Sequence, residues 1–212
     1  MTPLLCTVTD RHALAEPSLL SEHIALAVAA GMDWIQIRER NLSARELLAV
    51  VRDAVKVAAT PQHANATRII VNDRLDVAAA AGAGGVHLGE ASIPVAAASA
   101  WRRDANLREF LIGASCHSVG AVRGAERDGA DYVIFGPVFS TPSKEQFGAP
   151  QGINRLAEAS KAVRIPVLAI GGITEENAGE CFSAGAAGIA AIRMFSEARD
   201  LAELVARLRA AR

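Results

Sequence analysis

Apolar residues fall in short runs along the chain, each followed by a longer stretch in which Ala and Leu are interleaved with charged side chains. The runs lie near Leu4–Thr9, Trp34–Ile37, Arg68–Val71, Gly85–Leu88, Phe110–Gly113, Tyr132–Phe135, Pro166–Ile170 and Gly188–Ala191. Most are continuously apolar rather than alternating, the pattern of parallel strands covered on both faces. The stretches between them predict helices near Ser18–Ala30, Ser43–Ala59, Asp73–Ala81, Pro94–Arg103, Ser118–Asp128, Ile153–Lys161, Thr174–Ser183 and Ala198–Ala210. Ser43 stands three residues before Glu46, the spacing of a capping box. Thr174 and Asn177 repeat that spacing with a weaker partner.

A glycine recurs just before several of the strands, in Ala30-Gly31-Met32-Asp33, Ala81-Gly82-Ala83-Gly84, Asp128-Gly129-Ala130-Asp131 and Ala184-Gly185-Ala186-Ala187. Glycine there ends a helix in the left-handed conformation that other residues adopt only at a cost. Eight strand–helix units without a Pro-, Gly- or Ser-rich linker predict an α/β chain folded as a (β/α)₈ TIM barrel, a single domain over residues 1–212. The length lies near the lower limit for that fold, roughly 200 residues. A doubly wound open sheet is the alternative.

Composition narrows the function. With 51% hydrophobic residues in 212, the chain can bury a core, which excludes intrinsic disorder. No apolar run approaches the ~18 residues that span a bilayer. The first ten residues lack the basic segment and apolar stretch of a secretory signal, so a cytoplasmic location is expected. A net charge of −1 and 4% aromatic residues speak against a nucleic-acid partner. Cys6, Cys116 and Cys181 show no zinc or CxxC spacing and read as buried, reduced thiols.

In a barrel, functional residues sit at the C-terminal ends of the strands. After the second strand, alternation puts Gln36, Arg38 and Arg40 on one side, where two guanidiniums could hold phosphate. Pairing with Glu39 is the structural alternative. Asn72 and Asp73 end the third strand and suit either a polar substrate with Mg²⁺ or helix capping. His87 ends the fourth and equally fits a hydrogen-bonded core. The fifth leads into Ser115, His117 and Ser118, and histidine is the side chain best suited to moving protons near neutral pH. The long 137–151 segment carries Thr141, Ser143 and Lys144, an anion clamp on what reads as a closing lid. Gly171 and Gly172 after strand seven, and Ala190 and Ala191 before a short helix, would expose backbone N–H groups to a phosphate.

The segments Gln36-Ile37-Arg38-Glu39-Arg40, Val71-Asn72-Asp73-Arg74, Gly85-Val86-His87-Leu88-Gly89, Asp131 through Phe139, Thr141 to Lys144 and Ala169-Ile170-Gly171-Gly172-Ile173 together resemble the thiamine phosphate synthase/TenI family. The resemblance covers nearly the whole chain and implies a (β/α)₈ barrel enzyme of thiamine biosynthesis, with homodimerisation as a family expectation. For a synthase it implies that Arg38, Arg40, Asn72, Ser115, Thr141, Ser143 and Lys144 hold a pyrimidine diphosphate. Asp73 would then bind Mg²⁺, and Gly172, Ala190 and Ala191 would hold a thiazole phosphate. For a TenI-type thiazole tautomerase it implies His117 as the acid/base, with no metal or other cofactor. Synthases usually carry Lys at Arg40, a metal-binding Asp at Ser92 and Thr at Ser143. The loss of the Ser92 carboxylate and the TenI-like runs Gly188-Ile189-Ala190-Ala191-Ile192-Arg193-Met194-Phe195 and Phe147-Gly148-Ala149-Pro150-Gln151-Gly152 favour the tautomerase. The synthase is the alternative, and a non-catalytic phosphate-ligand regulator is a reading from another class.

Overall fold

Eight parallel strands close into a barrel in sequence order: β1 (Leu4–Val8), β2 (Trp34–Ile37), β3 (Arg68–Asn72), β4 (Gly85–Leu88), β5 (Leu111–Cys116), β6 (Tyr132–Phe135), β7 (Val167–Ile170) and β8 (Gly188–Ala191). The description rests on a computed structural model and covers residues 2–16, 19–60, 67–141 and 150–211. Closure is made by β1 on β8, from Leu4 opposite Gly188 to Thr7 opposite Ala191, which removes the open-sheet alternative. The helices α1 (Leu20–Ala29), α2 (Ala44–Ala58), α3 (Leu75–Ala81), α4 (Val95–Asp104), α5 (Val119–Arg127), α6 (Gly152–Ala162) and α7 (Glu175–Ser183) each follow a strand. After β8 come a single turn, α8 (Arg193–Ser196), and then α9 (Leu201–Ala210).

The strands are apolar on both sides because both sides are buried. Outward residues such as Ile35, Val71, Val86, Ile112 and Val133 pack under the helices. Inward residues Cys6, Val8, Trp34, Ile70, Tyr132, Ile134, Leu168 and Ala190 fill the barrel. Trp34 and Tyr132 meet there with ring centroids 4.5 Å apart. The three cysteines are free and buried, and burial pushes each thiol up to about 12.

Local signals act as the sequence implies. Ser43 Oγ accepts the Glu46 N–H, and the Glu46 carboxylate accepts the Ser43 N–H at 2.8 Å. Thr174 and Asn177 make the same reciprocal pair at the start of α7. Gly31, Gly82, Gly129 and Gly185 all take positive φ at the ends of helices. Several boundaries differ by one to three residues, and two of them have a clear cause. β5 runs on to Cys116, because Ala114, Ser115 and Cys116 pair with Val133, Ile134 and Phe135, and that pairing outweighs the weak strand preference of small residues. α3 begins at Leu75 rather than Asp73, because Asp73 takes a left-handed φ of 67°.

Candidate active site

At the C-terminal ends of the strands lies a cavity of about 1530 Å³. Its lining includes Gln36, Arg38, Arg40, Asn72, Asp73, Ser115, His117, Thr141, Gly171, Gly172, Ala190 and Ala191. The sequence-derived candidates are therefore brought together, except Ser143 and Lys144, which lie outside the described residues, as do residues 142–149 of the expected lid.

One wall comes from β2 and β3. Gln36 is 3% exposed and donates Nε2–H to Asn72 Oδ1 at 3.0 Å. Among the described residues its Oε1 has no partner, and it is buried at the cavity wall. Past Gln36 stand Arg38 and Arg40. Among the described residues neither forms an ion pair. Burial lowers the Arg38 pKa, the charge of Arg40 lowers it further, and Asp10 and Glu39 pull it back. Two cations left facing each other at a cavity wall are a costly arrangement unless an anion joins them. The expected alternative, pairing with Glu39, does not occur. Glu39 is buried and turns the other way, accepting from the Thr9 hydroxyl at 2.6 Å and from the Arg11 N–H at 3.2 Å. Thr9 Oγ1 in turn accepts the Arg38 N–H at 3.0 Å.

The neighbouring wall is acidic. Asp73 does not cap α3, whose first flanking residue is Arg74 with no side-chain cap. Its backbone N–H instead donates to the His87 carbonyl at 2.8 Å. A left-handed backbone is tolerated by Asp at modest cost and commonly marks functional positions. Glu90, after β4, also lines the cavity, and its charge reaches the Cys116 thiol. Ser92 lines it too, but its Oγ accepts the Gly89 N–H at 2.7 Å and closes that turn.

The remaining candidates occupy the far side. His117 donates from Nδ1 to the Gly136 carbonyl, which as an acceptor fixes that nitrogen as protonated. Gly171 and Gly172 have φ of 95° and 64°. A Cβ on Gly172 would lie 2.4 Å from the Ser140 carbonyl oxygen, so only glycine lets this loop pack against the one after β6. Their N–H groups donate to no backbone carbonyl among the described residues, which leaves them for an anion.

Below the mouth, His87 is 2% exposed. It sits between the Tyr132 hydroxyl, 3.2 Å from Nδ1, and Ser115 Oγ, 2.9 Å from Nε2. Burial first, and the charge of Arg38 second, lower its pKa to about 3. This chain and the Thr9–Glu39 tie were not legible in the sequence. Their members lie 28 to 45 residues apart, and only the strand register brings them together.

The closed barrel, with a polar cavity at the C-terminal ends of its strands, defines a TIM-barrel protein. It belongs to the thiamine monophosphate synthase family, whose profile matches residues 5–195, and so to thiamine biosynthesis. The chain is 41% identical to "Thiamine-phosphate synthase" of Chlorobium luteolum, over 94% of this chain and 88% of that one. It is 47% identical to "Thiamine-phosphate synthase" of Methanoculleus marisnigri, over 79% and 75%. Among solved structures it superposes on "Thiamine phosphate pyrophosphorylase" of Pyrococcus furiosus with a TM-score of 0.83 and 33% identity, covering 98% of this chain and 94% of that one. A 3-hexulose-6-phosphate synthase, at 21% identity and TM-score 0.71, shares the fold.

These relatives overturn the preference for a tautomerase: the names they carry are those of a transferase, at identities that span most of the chain. The preference arose from Ser92 and from the TenI-like runs at 188–195 and 147–152, and His117 was the acid/base that reading implied. Ser92 removes one carboxylate, yet Glu90 brings another to the same cavity. With proton transfer set aside, what the structure shows of His117 is its hold on the Gly136 carbonyl. No helix among the described residues is long and apolar enough to cross a membrane.

Proposed function

We propose that the chain is a thiamine phosphate synthase, joining a hydroxymethylpyrimidine diphosphate to a thiazole phosphate with release of pyrophosphate. The observation that carries this reading is the pair Arg38 and Arg40, two guanidiniums without ion-pair partners among the described residues, on a cavity that also holds Asp73 and Glu90. A diphosphate needs cations, and a metal that travels with it needs carboxylates. The volume of about 1530 Å³ exceeds the ~300–1,000 Å³ of single-ligand pockets, which suits two substrates.

In this reading Arg38, Arg40, Asn72, Ser115 and Thr141 hold the diphosphate, with Ser143 and Lys144 as further contacts carried over from the family pattern. Gln36 Oε1, buried and without a donor, would accept from an amino group on the pyrimidine. Gly171, Gly172 and the backbone at Ala190 and Ala191 would hold the thiazole phosphate. The bond from the pyrimidine methylene carbon to the diphosphate oxygen breaks, and its electron pair leaves with pyrophosphate. The thiazole nitrogen then supplies its lone pair to that carbon, forming the new C–N bond. The protein's part is to hold both ends and to stabilise the charge on the leaving group with fixed cations and donors.

The residues suited to hold Mg²⁺ are Asp73 and Glu90. Mg²⁺ commonly takes one or two carboxylates, completes its shell with water and substrate phosphate, and needs no all-protein cage. When bound with the diphosphate, the ion supplies neutralisation of the charge on the leaving pyrophosphate. Calorimetric titration with the pyrimidine diphosphate, with and without Mg²⁺, tests the reading. Mg²⁺-dependent binding is expected, and no binding in either condition would refute it.

A further inference from the structure

The reaction as drawn uses Ser115 but not the two buried groups behind it. Tyr132, His87 and Ser115 form a continuous hydrogen-bonded chain across three neighbouring strands. His87 stands opposite Gly113, and Gly113 opposite Tyr132. Ser115 lies two residues beyond Gly113, on the same face of β5. Gly113 makes room for the chain: a Cβ there would lie 2.1 Å from Tyr132 Cζ. Tyr132 and His87 are 1% and 2% exposed, whereas Ser115 opens onto the cavity.

We infer that this chain sets the direction of the Ser115 hydroxyl: Tyr132 donates to His87 Nδ1, His87 Nε2–H donates to Ser115 Oγ, and the Ser115 proton is left for an anion in the cavity. The reverse order fails inside the barrel. Were His87 protonated at Nδ1, the Tyr132 oxygen would accept, and its own proton would need another acceptor. Among the described residues the Tyr132 hydroxyl has no hydrogen-bond partner besides His87. Its surroundings are the Trp34 ring and the apolar filling of the barrel. A buried O–H without an acceptor costs the desolvation of that group in full. The order inferred here satisfies every buried donor of the chain. Protons at both nitrogens would strand the Tyr132 proton in the same way, because Nδ1–H again leaves that hydroxyl without an acceptor among the described residues.

An anion requires donors, and a hydroxyl already accepting from His87 Nε2–H meets it as one without reorienting. Tyr132 and His87 are thus positioning residues that act through Ser115. The assignment of the anion as the diphosphate rests on the synthase reading; the order of the hydrogen bonds does not.

The direct test is nitrogen NMR of protein labelled with ¹⁵N-histidine, with the His87 signals assigned by their loss in His87→Gln. The ligand-free protein is expected to show the Nε2–H tautomer at His87, and the Nδ1–H tautomer would overturn the inference. A second arm titrates inorganic pyrophosphate with Mg²⁺ into folded variants. Loss of one charge-assisted donor predicts about 10-fold weaker binding in Ser115→Ala. His87→Leu should weaken binding about 5-fold, and His87→Gln, whose Nε2–H can donate from the same place, should stay within about 2-fold of wild type. Adding His87→Leu to Ser115→Ala should cost nothing further. Wild-type affinity in folded His87→Leu, or full additivity of the two losses, would overturn the positioning role. If the wild-type protein itself ignored pyrophosphate, the synthase reading and the anion assigned to Ser115 would fall, and the tautomer would still decide the hydrogen-bond order.

Discussion

The Thr9 hydroxyl donates to Glu39 Oε1 across 2.6 Å, with both side chains buried. Thr9 Oγ1 also accepts the Arg38 N–H, so the end of β1 holds the backbone that presents Arg38 and Arg40. Thr9→Val keeps the shape but removes both bonds and leaves a buried carboxylate one donor short. Hydrogen bonds to charged groups are worth about 1.5–3 kcal/mol, so a stability loss of about 2 kcal/mol is expected in urea unfolding. Pyrophosphate affinity should fall as well, since the guanidiniums lose their support. A variant with unchanged affinity would show that this tie serves stability alone.

Arg38 and Arg40 should dominate binding of the diphosphate. Arg38→Gln is expected to weaken pyrophosphate binding by about 10- to 100-fold, the loss of one charge-assisted contact. Arg40→Lys keeps the charge and should lose less than Arg40→Gln. Calorimetry at two salt concentrations checks the electrostatic origin, because wild-type affinity should drop with added salt more than that of either Gln variant.

Glu90 lines the same cavity as Ser92 and is the carboxylate proposed to share the ion with Asp73. Glu90→Gln should raise the Mg²⁺ concentration needed for pyrophosphate binding by about 10-fold, equivalent to about 1.4 kcal/mol, for the loss of one of two carboxylates. The readout is binding, so a slow variant does not confuse it. Unchanged Mg²⁺ dependence would remove Glu90 from the metal site.

His87 makes stability pH-dependent in a definite direction. Burial, and then the Arg38 charge, lower its folded pKa to about 3, against 6.5 when unfolded. The unfolded chain therefore binds the extra proton first, and stability falls as pH drops from 6.5 toward 3. At full extent a shift of that size corresponds to roughly 5 kcal/mol. His23, lowered by burial, acts with the same sign. Urea midpoints between pH 7 and pH 4.5 should fall more steeply in wild type than in His87→Gln. Equal slopes would mean that His87 is protonated in the folded protein.

The barrel was legible because its causes are local. Continuous apolar runs mark strands buried on both faces, and the glycines at 31, 82, 129 and 185 mark helix ends by a conformation few residues share. The rim was legible for a similar reason, since alternation beyond β2 places Gln36, Arg38 and Arg40 together. What lay hidden depends on register. Nothing in the linear order says that Tyr132 meets His87 or that Thr9 meets Glu39, pairs joined only by strand neighbours. A cue was present in Gly113, the small residue directly opposite Tyr132 that lets a ring cross the barrel. The choice of reaction went astray for a chemical reason. Ser92 drew weight as a lost metal carboxylate, while the same loop brings another carboxylate, Glu90, to the cavity.

Turnover tests the central claim most directly. Purified protein is incubated with hydroxymethylpyrimidine diphosphate, thiazole phosphate and Mg²⁺, and thiamine phosphate and pyrophosphate are measured together. The account predicts both products in equal amounts, with formation lost when Mg²⁺ is chelated and sharply reduced in Arg38→Gln. Folded protein that binds both substrates yet forms neither product would contradict it.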